Sequence, residues 1–195
     1  RQAQAVSAVL ALITLIAAAR LAGYNGAAYV AAAVEIYALV CIAVSGGLSN
    51  VLGRILRLRE AKGQYRNAAV MRRNAFILQA ATGFLGTAVL LFGAEKIAVG
   101  LFRTQYSSAI LMILAPAVFL RSLSSLFAGC SRGAGAELPV AAADILRQIL
   151  IFAFSVMFSK MLGNYGGKVS RLLAHDNFTS MYGGIGIAIA VTLTE

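Results

Sequence analysis

Residues 45–74 read SGGLSNVLGRILRLREAKGQYRNAAVMRRN, and their contrast with the sequence on either side decides the fold. Seven cations crowd into this stretch: Arg54, Arg57, Arg59, Lys62, Arg66, Arg72 and Arg73. Before it runs a nearly uninterrupted apolar segment, about residues 27–48, and after it another, about 74–94. Apolar runs of roughly 20 residues match the hydrocarbon thickness of a bilayer when helical. In hydrocarbon every backbone N–H and C=O must be paired internally, which leaves the helix as the spanning form for such runs. Within the basic stretch, Val51, Leu52, Ile55, Leu56 and Leu58 recur at helical spacing, with Arg54 and Arg57 on another face. That pattern predicts a short amphipathic helix at the membrane surface, broken at Gly63.

Composition supports the same class. Hydrophobic residues make up 60% and charged residues 12%, against about 45–50% and about 25% in soluble domains. Mean hydropathy is +0.82. A soluble chain of this size could not cover so much apolar surface. The net charge of +10 invites a nucleic-acid reading, but the cations concentrate beside apolar spans, which marks membrane orientation instead. No nucleic-acid partner is expected.

Working outward, six apolar runs emerge. The first covers about 5–19 and meets Arg20 and the turn signal Gly23-Tyr24-Asn25-Gly26; its shortness fits a front truncation. The second covers about 27–48 and contains Glu35. In the third, about 74–94, Gln79, Gly83 and Gly86 share a face that a neighbouring helix can approach closely. The fourth, about 108–128, contains Pro116, which is expected to bend it. A glycine-rich turn, 129–135, leads to a fifth helix of about 139–161 with Pro139 in its first turn. A loop over 162–180 precedes a sixth run from about 181, itself expected to be incomplete. The fold class is therefore all-α: a polytopic transmembrane bundle of about six helices forming one membrane domain over 1–195. The basic loop, 49–74, is assigned to the cytoplasm by its cations. Six crossings then place the N-terminus in the cytoplasm as well, in a multi-pass protein of the cell membrane.

Beyond this pattern, three stretches carry a resemblance. They are Ser45-Gly46-Gly47-Leu48-Ser49-Asn50-Val51-Leu52-Gly53-Arg54 with the AKGQYRNA that follows, LLFGAEKIAVGLF, and ILAPAVFLRSLSSLFAGCSRGAGAELPVAAADILRQI. Their order over about residues 19–151 resembles the amino-terminal half of bacterial polysaccharide biosynthesis membrane proteins. That group includes stage V sporulation protein B-like proteins and lipid II flippases, in the superfamily that also holds the multidrug and toxin extrusion (MATE) transporters. The resemblance implies one lobe of a MATE-like two-lobed carrier for lipid-linked sugars, working by alternating access. It also implies a carboxy-terminal lobe as partner, beyond these residues.

Ionisable groups inside spans cost at least about 2.5–3.5 kcal/mol, so each needs a partner or an aqueous cavity. Four positions qualify as a candidate substrate cavity: Arg121, Arg147, Asp144 and Glu35. Arg121 is suited to a pyrophosphate or acidic sugar, because a guanidinium binds phosphate oxygens in bidentate fashion; the alternative is snorkelling to the interface. Asp144 and Arg147 share a helix face and are expected to form an intrahelical pair. Glu35 is expected to pair with Arg20, Arg121 or Arg147, or else to bind a coupling ion, H⁺ or Na⁺. The seven loop cations are expected to set topology and to contact anionic lipid.

Several functions have little support. His175 has no second ligand nearby, so a metal site is not expected. Gly166-Gly167-Lys168-Val169 lacks the phosphate-loop spacing and hydroxyl, and no nucleophile sits beside a histidine. Cys41 and Cys130 have neither metal-ligand nor disulfide-framework spacing. The chain is expected to be no enzyme and to need no cofactor. Three functions stay open: a flippase for lipid-linked oligosaccharide or polysaccharide precursors, a cation- or proton-coupled multidrug exporter, and a non-transporting membrane scaffold subunit.

Overall fold

The computed structural model describes residues 2–45, 47–102, 106–173 and 177–195. Six helices follow in order: α1 (Gln2–Ser45), α2 (Leu48–Ala61), α3 (Tyr65–Phe102), α4 (Tyr106–Gly133), α5 (Glu137–Leu173) and α6 (Asn177–Thr194). Four helical segments are long and apolar enough to cross a membrane, and α6 supplies a shorter apolar one. The chain is an all-α bundle of the kind its composition demands. Its outward surface is rich in uncovered apolar side chains, Phe92 at 87% exposure being the extreme. Exposed apolar surface of that extent is the mark of a lipid-facing or protein-facing wall.

Two expectations about the helices are corrected. The first and second runs are one helix, α1, with no break at the Gly23–Gly26 turn signal. Glycine in a helix costs only about 1 kcal/mol, less than freeing backbone groups in hydrocarbon. Gly26 serves packing instead: it is buried, and a Cβ added at Gly184 of α6 would lie 3.9 Å from its carbonyl oxygen. The 44 residues of α1 rise about 66 Å. One unbroken helix thus stands where two with a turn between them are expected, and residue 2 and the basic hairpin lie toward opposite ends of it. Second, α5 continues through most of the expected 162–180 loop to Leu173, so Lys168 and Arg171 are helical. His175 and Asp176 lie outside the described residues.

The core forms where α1, α3, α4 and α6 meet. Val30, Ala33, Leu90, Ile110, Leu114, Val118 and Ile187 are buried there. Small residues let the backbones approach. Gly83 packs on Ser122 and Phe119, and Gly86 on Val44 and Val118. Interhelical hydrogen bonds from buried polar side chains tie the same contacts. Gln79 Nε2 donates to the Val44 carbonyl at 3.3 Å, joining α3 to α1. Thr87 Oγ1 and Thr192 Oγ1 donate to the carbonyls of Ala115 and Ile113 at 3.2 and 2.9 Å. Both carbonyls lie in the turn that precedes Pro116, which stays inside α4.

The amphipathic α2 forms as its spacing implies, but it spends one face on protein. Leu52, Gly53 and Leu56 are buried against the end of α4. A Cβ on Gly129 would meet the Ser49 backbone oxygen at 2.6 Å, so this approach requires glycine. Tight turns at Gly47, Gly63 and Gly135, all with positive φ, reverse the chain at this end without steric cost. Arg57 Nη2 closes the corner, donating to the Arg132 carbonyl at 2.7 Å and to Glu137 Oε1 at 3.0 Å.

Candidate functional site: a polar cavity with a buried ion cluster

At the end of the bundle that carries α2, the lower turns of α4 and α5 diverge and leave a cavity of about 550 Å³. Its walls are unusually polar for a bundle this apolar: Ser49, Asn50, Ser124, Ser125, Ser131, Arg132, Asp144 and Thr194 among them. Arg121 from α4, Arg147 from α5 and Glu195, just past α6, also line it.

These last three form a single cluster. Arg147 Nη1 donates to Glu195 Oε1 at 2.6 Å, and Arg121 Nη1 donates to Glu195 Oε2 at 3.4 Å. Tyr37 Oη of α1 donates to Glu195 Oε1 at 3.1 Å. The Glu195 side chain is 2% exposed, while Arg147 and Arg121 keep 24% and 34%. One carboxylate is thus enclosed by two guanidiniums and a phenol, and the guanidiniums reach both the carboxylate and the open cavity. The Arg147 Nε–H is buried without an acceptor among the described residues, so this side chain has unused donor capacity.

The cluster lies deep. Ser122, next to Arg121, packs on Gly83, nine residues beyond Asn74 and so about 14 Å along α3. Gly83 lies close to the midpoint of α3 (Tyr65–Phe102). Tyr37 lies eight residues, about 12 Å, above the α1 terminus at Ser45. The cavity therefore runs from the basic end of the bundle towards the middle of its helices.

Among the four sequence-derived candidates, Arg121, Asp144 and Arg147 share this cavity and Glu35 does not. Glu35 is exposed on α1 and forms no ion pair among the described residues. Its expected pairing with Arg20, Arg121 or Arg147 is corrected, because Glu195 has taken both bundle arginines; Arg20 is exposed. The expected Asp144–Arg147 pair is likewise not formed, since Arg147 extends across to α6. Asp144 lines the cavity without an ion-pair partner among the described residues. Glu195 and Tyr37 were not singled out by sequence. A carboxylate directly after an apolar run is the available signal for Glu195; a tyrosine within an apolar run carries no comparable one.

The loop cations divide by environment. Arg57 bridges to α4 and α5 as described, and Arg72 pairs with Glu60 at 3.8 Å. Arg54, Lys62, Arg66 and Arg73 are exposed, and Arg59 is half-buried. Among the described residues no group of three or more His, Cys, Asp or Glu is placed to hold a metal ion.

Comparison with known proteins adds no neighbour: no family model matches the chain, and no curated protein or solved structure matches it.

Proposed function

We propose that the chain is one lobe of a membrane carrier that passes the anionic head of a lipid-linked oligosaccharide or polysaccharide precursor through its polar cavity. The observation that carries this is the pair Arg121 and Arg147, which line one polar cavity and keep 34% and 24% of their side chains exposed. Guanidiniums there offer a phosphate charge-assisted hydrogen bonds. Water and polar walls remove the cost of exposing sugar hydroxyls to hydrocarbon. Arg121, Arg132 and Arg147 outnumber Asp144 and Glu195 in the lining, which favours an anionic cargo. Movement of this lobe against a second one would expose the cavity to each side in turn.

The multidrug-exporter alternative draws support from Glu195 and Asp144, two carboxylates in the same lining that a proton or Na⁺ could occupy. The scaffold alternative needs Arg121 to point at lipid or a protein neighbour, and its place in the cavity wall weighs against that. The deciding experiment is a flipping assay in proteoliposomes with a fluorescent lipid-linked sugar, on the natural full-length protein. Arg121→Ala and Arg147→Ala should each slow transport by about tenfold or more, the value of one charge-assisted bond. Wild-type rates in both variants would refute the site. Transport of organic cations that collapses with the proton or Na⁺ gradient would favour the exporter.

A further inference from the structure

A second concavity, outside the cavity just described, runs between α2 and the first turns of α3 and encloses about 450 Å³. Volumes of this size fall in the range of small-ligand sites, about 300–1,000 Å³. The two helices are antiparallel about the turn at Gly63. Arg59 and Asn67, each four residues from that glycine, stand level at the turn end. Leu48 and Leu78, each fifteen away, stand level at the other end, and all four line the groove. The Leu78 end adjoins Gln79, which is bonded to the foot of α1, and belongs to the apolar span of α3. The Arg59 end lies beyond Arg72 and Arg73, on the polar side of that span. The groove is therefore graded, apolar towards the hydrocarbon and cationic towards the headgroups.

Nothing within the described chain satisfies either end. Val51, Val70 and Leu78 remain 55%, 54% and 52% exposed, while Leu52, buried in one cluster with Ala75 of α3 and Leu126 of α4, also lines the groove. Residues 54–73 hold seven cations and one acid, Glu60, which is engaged with Arg72. Arg59 has no ion pair among the described residues. An occupant with one apolar tail and one anionic head complements both ends.

We propose that this groove binds an anionic phospholipid, with an acyl chain between Val51, Ile55 and Val70 and the phosphate against Arg59 and Asn67. The site does not depend on what the cavity carries. It would fix the α2–α3 hairpin to the leaflet that holds the anionic lipid.

Native mass spectrometry of the detergent-solubilised protein tests this with phosphatidylglycerol and phosphatidylcholine of matched chains. Phosphatidylglycerol should bind about fivefold more tightly, the worth of one arginine near an anionic surface. Arg59→Gln should abolish that preference, and Val70→Trp, which fills the groove, should weaken both lipids. Arg54→Gln, an equal loss of charge outside the groove lining, should change neither. Equal binding of the two lipids would overturn the proposal, as would equal effects of Arg59→Gln and Arg54→Gln. Binding of soluble glycerophosphoglycerol as tightly as the lipid would overturn it by removing the role of the tail. A concentration-dependent dimer lost in Val70→Trp would overturn it in favour of a second protein chain as occupant.

Discussion

Replacing Glu195 by glutamine keeps the side-chain volume and removes the charge that two guanidiniums share, so it isolates the electrostatic role of the cluster. A hydrogen bond to a charged group contributes about 1.5–3 kcal/mol and a neutral one about 0.5–1.5 kcal/mol. The carboxylate accepts three bonds, from Arg147 at 2.6 Å and Tyr37 at 3.1 Å on Oε1 and from Arg121 at 3.4 Å on Oε2; glutamine keeps one acceptor oxygen, so the long Arg121 bond is lost and the other two are weakened. Removing one partner of a fully buried pair costs about 3–5 kcal/mol, but water reaches these arginines through the cavity and screens part of that. About 2 kcal/mol is therefore expected. At about 2–4 °C per kcal/mol for a chain of this size, Tm should fall by about 4–8 °C. Because the chain has no Trp, unfolding in detergent is best followed by far-ultraviolet circular dichroism or by a thiol-reactive dye on Cys41 and Cys130, both free and half-buried. The double variant Arg147→Gln/Glu195→Gln removes the uncompensated cation too, and should cost at least about 1 kcal/mol less than the sum of the single variants. A Tm unchanged within about 1 °C for Glu195→Gln, with additive single effects, would refute a structural ion cluster.

Three further outcomes are expected. A tag at the N-terminus and a cysteine replacing Gln64 should label from opposite sides of the membrane, because α1 runs unbroken between them; labelling from one side would mean α1 does not traverse once. Gly129→Ala should cost about 1–3 kcal/mol by forcing α2 off the α4 backbone, and should speed tryptic cleavage within residues 54–73; an unchanged cleavage rate would contradict the close approach. Glu137→Gln should change stability by less than about 1 kcal/mol, since the Arg57–Glu137 pair is exposed, at 56% and 71%; a larger loss would show the corner to be more than a surface contact.

The bundle was legible because apolar length and backbone pairing leave few alternatives. The face shared by Gln79, Gly83 and Gly86 and the amphipathic edge of α2 were legible for the same reason: both follow from 3.6-residue periodicity. The join between the first two runs was not. A glycine pair with Tyr and Asn between is a turn signal in water, yet the same residues continue a helix where a neighbouring backbone lies close and broken hydrogen bonds cannot be repaid by solvent. Arg121, Asp144 and Arg147 could be nominated as charges in apolar surroundings. The carboxylate that the two arginines share could not, because Glu195 lies 74 residues from Arg121 and 48 from Arg147 and no local spacing joins them.

Sequence alone determined the class of the molecule, the surface of each span and the end that gathers positive charge, since these depend on residue type and helical period. Tertiary structure decided which charges meet. Arg147 has Asp144 one turn away on its own helix but reaches Glu195 just past the end of the next, because α5 and α6 pack closely enough to bury that carboxylate, and a carboxylate out of water takes whichever cations the packing delivers.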